Sequence, residues 1–149
     1  MGGSALSDSP QGQAEQPPGP PYLLDTHVWL WYMAGSDRLP TTLRTEIDKA
    51  VGELSISPIS VWELGMLHAR GRIDLKGGTR LWIAMARQRF PIEEASLTSE
   101  VAVRSHEVEL DHRDPADRLL AATALVHGLT LLTMDSRLVA AAWLPTWSG

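Results

Sequence analysis

The sequence predicts an α/β domain with a mostly parallel sheet in three α/β/α layers, and three observations carry that reading. Short apolar runs alternate with stretches of helical periodicity, the pattern of strands joined by crossover helices. Two helix starts share one signature, a capping residue followed by proline at the first helical position: Ser57-Pro58 and Asp114-Pro115. Carboxylates end two of the apolar runs (Asp25, Asp135) and stand in the first turns of two helices (Glu63, Asp117). An open α/β sheet gathers a site outside the carboxyl ends of its strands.

Taken in order, residues 1–20 are rich in Gly, Pro, Gln and Ser and nearly free of large apolar groups. They cannot bury enough surface to offset their ordering entropy and read as a disordered leader before a domain at 21–149. They lack the apolar stretch of a secretory signal, and Leu6 stands where a myristoylation signal has Ser or Thr. Tyr22-Leu23-Leu24, closed by Asp25, reads as a first, central strand. Trp29 and Trp31 follow. Two residues apart, they cannot both face the core from one helix, which leaves one for a packing or partner surface. Helical spacing over 41–51 sets Leu43, Ile47 and Ala50 on one side. Leu54-Ser55-Ile56 is a strand, and the helix opened by Ser57 runs to about Arg70 and stops at Gly71. Gly77-Gly78 reads as a turn before a helix over 79–89. Phe90-Pro91-Ile92 is a strand candidate and 98–107 a helix. The helix opened by Asp114 ends at Gly128, residues 129–133 form an apolar strand leading to Asp135, and Trp143-Leu144 reads as a last edge strand.

The chain has 149 residues, 44% hydrophobic and 21% charged, enough for one domain with a real core. No apolar run approaches the roughly 20 residues of a membrane helix. The absence of cysteine excludes disulfides, zinc-thiolate sites and a cysteine nucleophile, and fits a cytoplasmic protein. The net charge of -5 gives no overall positive field. Basic groups concentrate locally: Arg70, Arg72, Lys76, Arg80, Arg87 and Arg89 fall in one segment whose acid is Asp74. Arginine suits bidentate phosphate contacts, so Arg70, Arg72, Arg80 and, next to the second cap, Arg113 are candidate phosphate contacts. A solvated helix surface explains any one of them as well.

Each acid has an ordinary explanation beside a functional one. Asp25 and Asp135 suit turns or helix caps. Glu63 borders the apolar stripe made by Ile59, Trp62 and Met66, where a carboxylate needs a partner. Asp114 and Asp117 are close to a capping box and suit the helix dipole. Four carboxylates brought together repel one another unless a cation joins them, and an all-oxygen set suits a hard divalent ion. Thr133, two residues before Asp135, is placed to hydrogen-bond a carboxylate. Among His27, His68, His106, His112 and His127 no pair has metal-ligand spacing, and only His27 adjoins a candidate acid.

The patches LLDTHVWLW at 23–31, SPISVWELGMLHARGRIDL at 57–75 and DHRDPADRLLAATALVHGLTLLTMD at 111–135, in this order, resemble the PIN-domain ribonucleases and, within them, the VapC-type toxins of toxin–antitoxin pairs. The resemblance covers roughly 21–144. It implies an acidic cluster of Asp25, Glu63, Asp117 and Asp135, with Asp114 and Thr133 accessory and Thr26 beside the site. It also implies Mg²⁺ or Mn²⁺ dependence, RNA cleavage, homodimers and inhibition by an antitoxin protein. Two other readings stand beside it. A phosphatase of the haloacid-dehalogenase type needs a second Asp where His27 stands. A PIN fold that binds RNA or antitoxin without cutting is the other.

Overall fold

The computed structural model describes residues 18–110 and 114–149. Arg113 and the first 17 residues, which carry most of the expected leader, lie outside the described residues. Twelve elements follow in order: β1 (Tyr22–Leu24), α1 (Thr26–Ala34), α2 (Thr41–Lys49), β2 (Leu54–Ile56), α3 (Pro58–Ala69), α4 (Thr79–Arg89), β3 (Glu93–Glu94), α5 (Ser99–Glu107), α6 (Pro115–His127), β4 (Thr130–Leu132), α7 (Ser136–Val139) and β5 (Thr146–Trp147). The five strands form one parallel sheet in the order β3-β2-β1-β4-β5.

That order explains the layers. The chain steps outward from β1 to β2 to β3, then returns to the other side of β1 for β4 and β5. With right-handed crossovers, reversing direction moves the connecting helices to the opposite face. Alternate side chains of the central strand therefore enter two cores. Tyr22 and Leu24 pack with Trp29, Leu43, Ile47, Ile56 and Leu64; Leu23 packs with Leu120, Ala124, Leu131 and Leu138. β1 is buried on both faces throughout.

Four sequence expectations need correction. Residues 26–34 form a helix that the sequence left unassigned. The segment THVWLWYMA is apolar nearly all round, so no stripe marks its period. Asp25 is its N-cap and Gly35, with φ 63°, ends it in the left-handed conformation that favours glycine. The third strand lies at 93–94 rather than 90–92, because Phe90 still caps α4 and Pro91 has no N–H for a ladder. The last strand is 146–147 rather than 143–144. Leu144 is 4% exposed and packs in the core, but its N–H is taken by Ala141 O in a turn at 3.0 Å. Its apolarity reports burial, not pairing. Glu63 sits one turn deeper in its helix than expected, as the sixth residue of α3. Among the described residues, no helix is long and apolar enough to cross a membrane.

Candidate active site

The strand order reverses between β1 and β4, and the chain segments leaving these two neighbours carry Asp25 and Asp135. Asp25 is held by its surroundings: Oδ1 accepts the Thr26 N–H at 2.7 Å and Oδ2 accepts the Thr133 hydroxyl at 2.6 Å. Its own N–H donates to Leu132 O at 3.0 Å, which extends the β1–β4 ladder to the site. Thr133, fully buried, also accepts the Asp135 N–H at 3.0 Å. One hydroxyl thus links the two strand-end acids. Thr26, also buried, does the same toward α3. Its hydroxyl donates to Glu63 Oε1 at 2.6 Å and lies 2.8 Å from the Ser60 hydroxyl.

The remaining acids come from α6. Asp114 caps it, accepting Ala116 N–H at 3.0 Å, and Pro115 follows at the first position. Asp117, in its first turn, is 8% exposed. Arg118 points away and fixes α6 to the end of α5, donating to Ser105 O at 3.0 Å and Val108 O at 2.8 Å.

Asp25, Glu63, Asp114, Asp117 and Asp135 all line one open pocket of about 410 Å³, together with His27, Val28, Trp31, Arg38, Met134 and Arg137. Burial first, and mutual repulsion second, push three of these acids above the ordinary carboxylate range. Burial, then the charges of Asp114, Asp25, Asp135 and Glu63, raise Asp117 to about 7. Burial raises Asp25 despite the hydrogen bonds from Thr133 and Thr26. Glu63 is raised by burial and then by Asp25, against the bond from Thr26. Asp135 caps α7 by accepting the Arg137 N–H at 2.9 Å. The Arg137 side chain turns back onto the cluster, 3.0 Å from Asp135 Oδ2 and 3.6 Å from Asp117 Oδ2.

All five acids singled out from the sequence therefore line one pocket, and Thr133 and Thr26 stand behind them. Arg70, Arg72 and Arg80 do not join them: each is exposed, and none lines the pocket. Sequence reasoning missed two pocket arginines. Arg137 is two residues past a capping Asp, a position whose side chain can fold back on the cap. Arg38, in the loop between α1 and α2, carries no such signal. The tryptophan pair splits as its spacing requires. Trp29 is buried edge-on to Trp82 at 5.3 Å, whereas Trp31 lines the pocket and packs on His27 at 5.5 Å.

The donor set is chemically suited to a hard cation, since every acid offers oxygen and repulsion raises the free energy of the metal-free site. Among the described residues, no three His, Asp or Glu side chains are grouped as they stand so as to hold a metal ion.

The chain is thus a parallel α/β/α domain with five acids lining one pocket at its strand-order reversal. Residues 22–144 match the PIN domain, and the chain belongs to that family. It is 35% identical over 117 residues to Ribonuclease VapC22 of Mycobacterium tuberculosis, covering 78% of this chain and 88% of that one. Its fold resembles VapBC2 from Rickettsia felis, solved bound to a DNA fragment from its promoter, with a TM-score of 0.63 at 17% identity, over 85% of this chain and 96% of that chain. A toxin–antitoxin complex from Klebsiella pneumoniae aligns with a TM-score of 0.62 at 17% identity and the same coverage, 85% and 96%.

Proposed function

We propose that this protein is a divalent-metal-dependent endoribonuclease and acts as the toxin of a toxin–antitoxin pair. The observation that carries the chemistry is the convergence of five carboxylates from four separate segments on one pocket. The ribonuclease and toxin readings draw on the similarity to VapC22 and to toxin–antitoxin complexes. Asp25, Glu63, Asp117 and Asp135 are the residues to hold Mg²⁺ or Mn²⁺, with Asp114 accessory. When bound, such a cation supplies positive charge against the phosphate and acidifies an attacking water.

The chain's own residues do the rest. Thr133 and Thr26 fix the rotamers of Asp25 and Glu63, so the acids are oriented before substrate arrives. A homodimer is expected from the family resemblance. An antitoxin whose basic segment enters the acidic pocket would inhibit by taking the cation's place. Arg70, Arg72 and Arg80 lie outside the pocket and suit the flanking RNA backbone. Induced expression in bacteria tests the reading: wild type arrests growth, Asp25→Asn does not, and co-expression of a neighbouring antitoxin gene restores growth. Equal arrest by Asp25→Asn would move the activity away from this pocket.

A further inference from the structure

The Arg137 guanidinium engages both oxygens of Asp135: its Nη2 meets Oδ2 at 3.0 Å and its Nε meets Oδ1 at 3.3 Å. The same Nη2 stands 3.6 Å from Asp117 Oδ2. A fixed side-chain cation thus spans two of the carboxylates that the nuclease reading gives to a divalent metal. Asp135 cannot present either oxygen fully to an ion while this fork is closed.

The fork is also easy to open. The Arg137 side chain is 57% exposed, and exposed ion pairs contribute little. The main-chain N–H of residue 137 makes the cap bond to Asp135 Oδ1, so the side chain can leave without undoing α7. The guanidinium fork fits a phosphate as well as it fits a carboxylate. A divalent ion entering the pocket neutralises Asp135 and repels Arg137, and a phosphodiester arriving beside it attracts Arg137.

We propose that Arg137 is a built-in counter-cation that competes with the metal in the free protein and transfers to the RNA phosphate in the complex, coupling the two binding events. This rests on the nuclease reading. Because coupling is reciprocal, RNA phosphate that draws Arg137 away tightens metal binding, and metal that expels Arg137 tightens RNA binding.

The test is calorimetric titration of Mn²⁺ into RNA-free, EDTA-stripped protein, paired with steady-state cleavage of a fluorogenic oligoribonucleotide. Arg137→Gln is expected to bind Mn²⁺ about two- to fivefold more tightly than wild type, yet to show an RNA KM raised several-fold. Arg137→Lys keeps the charge but not the fork, so its Mn²⁺ affinity stays near wild type while its KM still rises. A merely structural role would not move the two readouts in opposite directions, and thermal melts in EDTA verify the fold of each variant. Equal or weaker Mn²⁺ binding by Arg137→Gln would overturn this inference alone. Failure of wild type and variant alike to bind Mn²⁺ would overturn the nuclease reading and this inference with it.

Discussion

Replacing Asp117 by Asn should stabilise the metal-free protein while removing its activity. Asp117 is buried among four other acids, and its pKa is raised to about 7 from an ordinary 3.8. At about 1.36 kcal/mol per unit, the ceiling on this penalty is about 4 kcal/mol above pH 7. The pocket opens to water and its charges are screened, so about 1–3 kcal/mol is the realistic gain. For a domain of this size that raises Tm by roughly 3–12 °C. The sign follows from the direction of the shift. A raised pKa means the folded state holds the proton more tightly than the unfolded state. The contribution of this group to wild-type stability in EDTA is therefore fully present below about pH 4 and is lost as pH rises through about 7. Asn cannot ionise, so its advantage should be largest at pH 8 and shrink toward pH 4. Urea denaturation in EDTA at pH 8, 6 and 4 gives the comparison. Adding Mn²⁺ at pH 8 should stabilise wild type far more than the variant. A variant less stable than wild type at pH 8 in EDTA would refute the electrostatic reasoning, because it would make Asp117 a net stabilising partner.

Three further outcomes can be checked. Thr133→Val removes a buried hydroxyl that donates to Asp25 and accepts from Asp135 N–H; urea denaturation should show a loss of about 1–3 kcal/mol, and Thr133→Ser should recover most of it. Asp114→Ala should cost about 1 kcal/mol through the lost cap of α6, whereas Asp114→Asn keeps the cap, so any fall in cleavage by the Asn variant isolates the contribution of its charge. Replacing Arg70, Arg72 and Arg80 together by Ala should weaken RNA binding and lower the salt slope of log K by about 2–3 without changing kcat, measured by fluorescence anisotropy across KCl concentrations.

The parts of the molecule that were legible in the sequence share a cause. Ser57-Pro58 and Asp114-Pro115 mark helix starts because capping and a preset φ act locally, and α3 and α6 begin where they say. Apolar runs marked β1, β2 and β4 because central parallel strands are buried on both faces. Asp25 was legible because it directly follows β1, and Asp114 and Asp117 because they open α6, whereas Glu63 lies a turn deeper in α3 than the sequence suggested. What was not legible depended on tertiary context. Helix α1 has no polar face to set its period, because one side lies in the core while another carries His27 and Trp31 to the pocket. The edge strands are two residues each; one consists of exposed Glu93 and Glu94, which neither burial nor propensity marks, and the other, Thr146–Trp147, is too short to show a period. Arg38 and Arg137 reach the site through folding, whereas the arginine-dense segment drew attention by count alone.

The proposal that this pocket is a metal-dependent ribonuclease site is tested most directly by incubating the purified, antitoxin-free protein with total bacterial RNA in Mg²⁺, Mn²⁺ and EDTA, beside Asp25→Asn, and sequencing the fragment ends. Discrete fragments that need the metal and vanish in the variant are the expected result. RNA left whole under every condition by a folded protein would contradict it and leave a PIN fold that binds without cutting.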